Sequence, residues 1–314
     1  MPDILVIGSF VAGLTIRVPR KPVVGEGLIG DLFDMGPGGK GANQAIAAAR
    51  LGANVELVAC IGDDLFAEMA GPLFESEGVS PANLHRIPGI NTGVGLVTLL
   101  PSGDNWIVGH LGANMRMRPH HVEAAEPLIT KSDIVMAQFE APLDSVARGL
   151  ELGKKHGALT ILNPAPGQSA DPELLAHVDI LTPNESETRI LLGLPPDDPT
   201  PTPELASQLL ELGVERIVAT CGEQGAFIVT AQGTEAIAAV PVQPLDVTGA
   251  GDSFNAALAV GLGEGLSLRD AVSQATYAGA YATTHLGVID GLPTRNELES
   301  FRTRSSKGGE TGSN

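Results

Sequence analysis

Apolar positions along this chain alternate between two rhythms. Residues 4–8 form an unbroken apolar run closed by glycine, and runs of similar length recur at 55–61, 134–138, 159–162, 180–182, 216–220, 227–230 and 237–240. Runs without polar alternation read as strands buried on both faces, as in a parallel sheet. Between them the apolar spacing turns helical near 65–77, 122–129, 143–155, 185–192 and 268–284. Repeated pairing of strand and helix predicts an α/β fold with a mostly parallel sheet covered on both sides. Residues 194–203, rich in Pro and Asp, predict a surface connection.

Two stretches break the rhythm. Residues 15–35 and 92–111 carry β-like pieces and turn residues but no helical spacing. In the second, 95–100 and 106–108 read as strands around the turn Pro101-Ser102-Gly103-Asp104. Both stretches together predict a separate small sheet. Residues 305–314 are small and polar and predict a flexible tail after a single domain over 1–304.

Candidate chemistry sits in two glycine-rich segments. Asp246-Val247-Thr248-Gly249-Ala250-Gly251-Asp252 runs into Phe254, Ala257, Leu258 and Leu262 at helical spacing, which puts the glycines at a helix N-terminus. Amides there lack intrahelical partners and the dipole adds partial positive charge, so the terminus suits a phosphate. A bound phosphate would repel Asp252 unless that carboxylate serves an acceptor hydroxyl, whose proton it can take in phosphoryl transfer. A plain helix cap with an acidic first turn would give the same letters.

The earlier segment, Gly36-Pro37-Gly38-Gly39-Lys40-Gly41-Ala42-Asn43-Gln44, opens an alanine-rich helix that stops at Gly52. It is not a Walker sequence, because Gly41 follows Lys40 where Ser or Thr would hold Mg²⁺. Its glycines and Asn43 suit close approach of a small polar ligand, and tight helix–sheet packing is the alternative reading.

Charge narrows the partners. With 37 acidic against 19 basic residues the net charge is -18, which opposes nucleic acid and anionic membranes, so a phosphate site must be local and built from backbone. No apolar run approaches the roughly 18 residues that span a bilayer, and a short strand follows Met1 directly, so a cytoplasmic protein is expected. Cys60 and Cys221 are expected to be buried and reduced. His120 and His121, being adjacent, are expected to point apart at the surface, and no metal-ligand spacing is present.

Taken in order, the 36–45 segment, Asn163-Pro164-Ala165-Pro166, Thr182-Pro183-Asn184-Glu185-Ser186-Glu187, Thr220-Cys221-Gly222 and 246–252 resemble the motifs of a ribokinase-family (PfkB-type) carbohydrate kinase over residues 3–302. The resemblance implies a three-layer α/β core with a β lid from about 14–37 and 91–113, the sugar lying between lid and core. A homodimer contact through the lid is implied as well. On matching positions, Asp252 is the base, and Gly249, Ala250 and Gly251 form the anion hole. Gly39, Asn43 and Glu140 face the sugar. Asn184 and Glu187 sit by the ATP phosphates and Mg²⁺, while Thr220, Gly222 and Gly225 line the nucleotide site with Thr276 nearby. Glu187 lies one helical turn after Asn184, so both can face one side; a solvated helix charge is the alternative. A potassium site is implied at Asp246, Thr248, Ala282, His285 and Gly287, with Gly291 where ribokinases commonly carry Ser. Asp246 could equally cap a turn.

The departure is in the first loop, 8–13. Ribokinases read Gly-Ser-apolar-Asn-x-Asp there, and the Asn and Asp that grip sugar hydroxyls are Val11 and Gly13 here. Losing such a charged hydrogen bond costs about 1.5–3 kcal/mol, roughly tenfold to a hundredfold in affinity. Val11 would tolerate a missing hydroxyl or an apolar substituent, and Gly13 leaves room. The leading expectation is an ATP-dependent kinase acting on a primary hydroxyl of a pentose or related sugar. A nucleoside kinase, with Phe10 able to stack on a base, is the alternative within the class, and a sugar sensor without useful activity is the alternative outside it.

Overall fold

A computed structural model describes residues 1–101 and 105–308. Its strands, in chain order, are β1 (Asp3–Ile7), β2 (Val11–Arg17), β3 (Leu32–Gly38), β4 (Asn54–Ile61), β5 (Val79–Ser80), β6 (Leu84–Arg86) and β7 (Gly93–Leu99). They continue with β8 (Asn105–His110), β9 (Ile134–Gln138), β10 (Leu159–Asn163), β11 (Ile180–Leu181), β12 (Arg216–Thr220), β13 (Ala226–Thr230) and β14 (Gly233–Ile237). The main sheet has the order β14-β13-β12-β11-β10-β9-β1-β4-β5, with β6 also on β4. Pairing is parallel from β5 to β12 and antiparallel for β13 and β14.

The unbroken apolar runs have their cause in this sheet, because both faces are covered. Along β1, Ile4 and Val6 pack with the helices Lys40–Arg50, Ala250–Gly263 and Leu268–Thr283, while Leu5 and Ile7 pack with the helix Leu143–His156 on the opposite side. Each such side chain contributes about 1.5–3 kcal/mol on burial. Small residues on facing helices, Ala42 and Ala45 on one and Ala256 and Ala257 on the other, are fully buried. Lys40–Arg50 therefore packs directly on Ala250–Gly263, which sets the two glycine-rich N-termini side by side.

Both helix-free stretches meet in one four-stranded sheet of order β3-β2-β7-β8. Ile16, Phe33, Met35, Leu96, Trp106 and Val108 share one face of it by register, and all are exposed, Phe33 at 65% and Val108 at 68%.

Several local expectations shift. Val11 and Gly13 belong to β2 rather than to a loop. The last strand is 233–237, not 237–240, because β14 is an edge strand returning from β13 through Thr230↔Gly233 and leaves Thr234 and Glu235 exposed. The helical stretch near 122–129 is split into Pro119–Ala124 and Glu126–Ile129; Pro127 donates no N–H and is tolerated only in a first turn. A helix Thr202–Leu209 starts inside the Pro-rich connection, with Pro203 in its first turn. The expected tail is helical as far as Gly308, within Arg295–Gly308. Residues 309–314 and the turn residues Ser102, Gly103 and Asp104 lie outside the described residues. Among the described residues no helix is long and apolar enough to cross a membrane.

Candidate active site

The C-terminal ends of β1, β9, β10, β11 and β12 converge on one edge of the sheet, where ligands bind in open α/β folds. At that edge the helix Ala250–Gly263 begins. Its cap, Gly249, has φ 82, and a Cβ there would lie 2.8 Å from Val288 Cγ1. Gly251 is different: it is exposed, has no positive φ, and a Cβ would meet nothing within 4 Å. Its missing side chain leaves open space directly over first-turn amides.

Asp252 is buried at 6% exposure. Asn43 Nδ2 donates to its Oδ2 at 2.8 Å and Gln44 Nε2 to its Oδ1 at 3.0 Å, across 209 and 208 residues of sequence. Gln44 also donates to Asn163 Oδ1 at 3.1 Å and accepts from Gln138 Nε2 at 2.7 Å. The chain of bonds continues from Asn163 Nδ2 to the Thr182 carbonyl (3.1 Å), from Thr182 Oγ1 to Asn255 Oδ1 (2.5 Å), and from Asn255 Nδ2 to the Gly251 carbonyl (2.8 Å). A carboxylate held this way cannot swing, so a hydroxyl brought to it meets a fixed acceptor. Asn43 Oδ1 is buried and has no partner among the described residues. Leaving an acceptor so costs about 1–3 kcal/mol, which a ligand hydroxyl would relieve.

Gly39, the cap of the helix Lys40–Arg50, has φ 92, and a Cβ there would sit 2.9 Å from Ser9 Oγ. Ser9 Oγ donates to Glu140 Oε2, which also accepts from the Lys40 backbone N–H at 2.7 Å. The Lys40 ammonium pays for burial, yet the charges of Asp252, Glu140 and Glu187 outweigh that cost and raise its pKa. One cation thus stays protonated among three carboxylates, at the place where a transferred phosphoryl group would need compensation. Lys40, Gln44 and Ser9 were not singled out from the sequence. A lone basic residue inside a glycine-rich loop of an acidic chain was the available signal for Lys40.

Asn184 and Glu187 hold each other. Asn184 Oδ1 accepts from the Glu187 N–H at 2.9 Å, and Glu187 accepts from the Asn184 N–H at 2.8 Å and from Nδ2 at 2.9 Å, a reciprocal cap on the helix Glu185–Leu191. At 7% exposure Glu187 is no solvated helix charge. Burial raises its pKa against the pull of the Asn184 N–H and Lys40, and the Asp252 charge adds to the rise. Asn184, Ser186, Arg189, Thr220 and Gly222 line an open cleft of about 500 Å³. Gly225 and Thr276 are not among its lining residues. Gly225 is a packing position, since a Cβ would fall 2.1 Å from the Ile237 carbonyl oxygen, and Thr276 Oγ1 donates to the Ser273 carbonyl at 2.8 Å. The carboxylate and amide oxygens of the Glu187–Asn184 pair suit a hard cation that keeps several waters.

Asp246 Oδ1 accepts from Thr248 N at 2.9 Å and Thr248 Oγ1 at 2.7 Å, and Oδ2 accepts from Gly287 N at 3.2 Å. Asp246 therefore does cap a turn. The same bonds bring its carboxylate to the C-terminal end of the helix Leu268–Thr283, where the Ala282 carbonyl accepts from His285 N at 3.2 Å. A carboxylate beside carbonyls at a negative helix end suits a monovalent cation. The His285 ring stacks on Tyr281 at 4.5 Å.

Three remaining expectations resolve simply. Phe10 is fully buried and packs edge-on against Phe74 at 5.8 Å, so it is core and stacks on no ligand. Cys60 and Cys221 are buried free thiols, and burial pushes them up to about 12 and about 11, which leaves them unreactive. His120 and His121 do not point apart: their rings lie 4.1 Å from each other and His121 lies 4.6 Å from His85, because the first turn of Pro119–Ala124 folds over β6.

Comparison with known proteins covers almost the whole chain. The profile described as pfkB family carbohydrate kinase matches residues 1–295. A ribokinase of Haemophilus influenzae is 36% identical over 296 residues, 94% of this chain and 97% of that protein. A ribokinase of Bacillus subtilis is 37% identical over 300 residues, 95% of this chain and 99% of that one. Among solved structures, Arabidopsis thaliana ribokinase complexed with ribose and ATP is similar at TM-score 0.86 and 29% identity, covering 96% of this chain and 98% of that chain.

Proposed function

The chain belongs to the pfkB family of carbohydrate kinases, and from that premise we propose that it moves the γ-phosphate of Mg²⁺-bound ATP to a primary hydroxyl of a pentose or related sugar, with Asp252 taking the proton. It is a sugar kinase of ribokinase type. The observation that carries the mechanism is the buried Asp252 carboxylate, clamped by Asn43 and Gln44 beside the open amides at Gly251. The acceptor hydroxyl meets Asp252, and charge developing on the phosphoryl oxygens meets the amides at Gly249, Ala250 and Gly251 together with Lys40. Asn43 Oδ1, Glu140 and the close backbone at Gly39 receive the sugar, with Val11 and Gly13 above it. Thr220 and Gly222 border the nucleotide, with Gly225 and Thr276 behind.

ADP release from MgATP across ribose, 2-deoxyribose, other pentoses, ketohexoses and nucleosides tests this reading. Acceptor-dependent release supports it, and no release with any acceptor, in folded protein that binds nucleotide, overturns it.

Glu187 and Asn184 would hold the Mg²⁺ that accompanies ATP, which would offset charge on the phosphates. Glu187→Gln is expected to raise the Mg²⁺ concentration for half-maximal rate about tenfold or more, since charge-assisted contacts are worth about 1.5–3 kcal/mol. Because the Glu187 pKa is raised, its charge is lost as pH falls through a value above the ordinary carboxylate range. Mg²⁺ affinity of the parent therefore weakens on the acid side, while fold stability gains there from the protonated form. A Mg²⁺ titration at several pH values reads the affinity and thermal melts over the same range read the stability; an Mg²⁺ requirement unmoved by the substitution contradicts the role.

A potassium ion at Asp246, Thr248, Ala282, His285 and Gly287 would order the loop that leads into Gly249. Replacing Na⁺ by K⁺ is expected to raise kcat/KM severalfold, and Asp246→Ala to flatten that response; equal rates in both salts contradict it. The apolar lid face fits a second copy of the chain, because contiguous exposed apolar surface of this kind marks an interface. Phe33→Glu is expected to shift a dimer to monomer in sedimentation velocity, and a monomeric parent would exclude the contact. Buried reduced thiols and the use of ATP go with a cytoplasmic setting.

A further inference from the structure

Gln138 closes β9, a strand buried along its whole length and otherwise apolar. It is 0% exposed and stands opposite Asn163 in the register with β10. Its Nε2 donates to Gln44 Oε1 at 2.7 Å, while its own Oε1 is buried and has no partner among the described residues. A buried acceptor left so costs stability, and an apolar side chain at the end of this strand would avoid the cost. Gly8 leaves room for the amide: it has no positive φ, and a Cβ on it would lie 2.3 Å from Gln138 Oε1 and 2.6 Å from Gly41 Cα. An unmet polar atom and a glycine thus surround one side chain that reaches no surface.

What the amide does follows from the acceptor at the far end. Ionised Asp252 can only accept, so Gln44 must turn Nε2 toward Oδ1, the contact seen at 3.0 Å. The same nitrogen donates to Asn163 Oδ1 at 3.1 Å. Gln44 Oε1 then faces β9, and only a donor can stand against it. Turned the other way, Gln44 would set its oxygen against the oxygens of Asp252 and Asn163, and its amino group against that of Gln138. Asn163 cannot turn to relieve this, because its own Nδ2 donates to the Thr182 carbonyl at 3.1 Å. The Gln138 N–H therefore holds Gln44 in the orientation Asp252 needs, from the side that no ligand reaches.

We propose that Gln138 is a positioning residue for phosphoryl transfer, acting on Asp252 through Gln44 and touching no ligand itself. This rests on the kinase reading above and on nothing about the identity of the acceptor. Without the Gln138 donor, Gln44 loses its preference for presenting an N–H, and Asp252 keeps Asn43 as its remaining side-chain donor. A carboxylate free to turn about one bond meets the acceptor hydroxyl in a poor direction, and such misplacement lowers kcat rather than nucleotide affinity.

Two substitutions test this. Gln138→Met keeps the length of the side chain and removes the donor together with the unmet oxygen; kcat is expected to fall at least fivefold, with KM for ATP moved less than twofold. Gln138→Glu gives a readout that packing alone would not move. Burial raises the introduced carboxyl above the ordinary carboxylate range. Protonated, it donates to Gln44 Oε1 as the parent amide does; ionised, it accepts from Gln44 Nε2 and turns the amide oxygen toward Asp252. The ratio of variant to parent kcat is therefore expected to fall at least fivefold as pH rises from about 5.5 to about 8. Asp252, Glu140, Glu187 and Lys40, the charged groups that meet at this end of the sheet, are common to both proteins. A Gln138→Met kcat within fivefold of the parent, or a Gln138→Glu ratio that is flat or rises with pH, overturns the proposal and leaves the kinase reading intact. Should either variant fail to fold, the other decides. Should the parent yield no ADP with any acceptor, the kinase reading fails, and nitrogen NMR of glutamine-labelled protein decides the positioning: the Gln44 side-chain amide signals are expected to shift or double in Gln138→Met, and signals identical to the parent's overturn it.

Discussion

Asp252→Asn is expected to lower kcat by about 10²- to 10⁴-fold, the usual contribution of a positioned base, while the affinity for nucleotide changes only a few fold. The substitution keeps shape and removes the basic oxygen. Its new amide group would face an N–H donor from Asn43 or Gln44, the two side chains that now hold the carboxylate. Asn43 can absorb the change by turning its amide, since its Oδ1 has no other partner among the described residues and would accept the new N–H. The fold should therefore survive, so that the lost rate reports chemistry rather than unfolding. Single-turnover kinetics with bound MgATP separate the two; turnover above a tenth of the parent would remove Asp252 from the role of base.

Gly41→Ala is expected to cost both stability and activity. A Cβ at Gly41 would lie 2.3 Å from the Ser9 N and 2.7 Å from the Gly8 Cα and C, all backbone atoms that cannot turn aside. The start of the helix Lys40–Arg50 is bonded to that same loop, with Ala42 N donating to Ser9 O at 2.8 Å. Overpacking of this sort costs about 1–3 kcal/mol or more, or several degrees in Tm for a chain of this size. The helix must also move outward, carrying Lys40, Asn43 and Gln44 with it. A displacement of about 1 Å at a reacting centre can cost about 10²-fold in rate. Thermal melts together with kcat check this, and an unchanged Tm with unchanged turnover would contradict the contact.

Much of the core was legible in the sequence because parallel strands buried on both faces leave continuous apolar runs, as β1, β9, β12 and the 57–61 part of β4 do. Edge strands leave no such trace. β14 has exposed Thr234 and Glu235, and the stronger apolar signal lies at 237–240, although the hairpin from β13 fixes the true register. The two glycine motifs were legible as well, but their glycines divide the work in a way only packing reveals. Gly41 serves tight helix–sheet contact, which was the alternative reading of its segment, whereas Gly251 has open space above it. Glu187 was visible by its spacing from Asn184, and the reciprocal bonds between them make it part of the helix cap.

Lys40 was hidden for another reason. Its charge matters through Glu140, Glu187 and Asp252, which lie far apart in sequence and meet only where the strand ends converge. Departures at Val11 and Gly13 were visible as letters, yet only the register shows that both lie inside β2, between β3 and β7.

The central claim is transfer of the ATP γ-phosphate to a primary hydroxyl. Phosphorus and carbon NMR of a completed reaction with MgATP and the best acceptor of the panel tests it most directly. The account predicts one phosphorylated acceptor per ADP, with the phosphate on the primary hydroxyl and no product from Asp252→Asn. ADP formed without a phosphorylated acceptor, or a phosphate on a secondary hydroxyl, would contradict it.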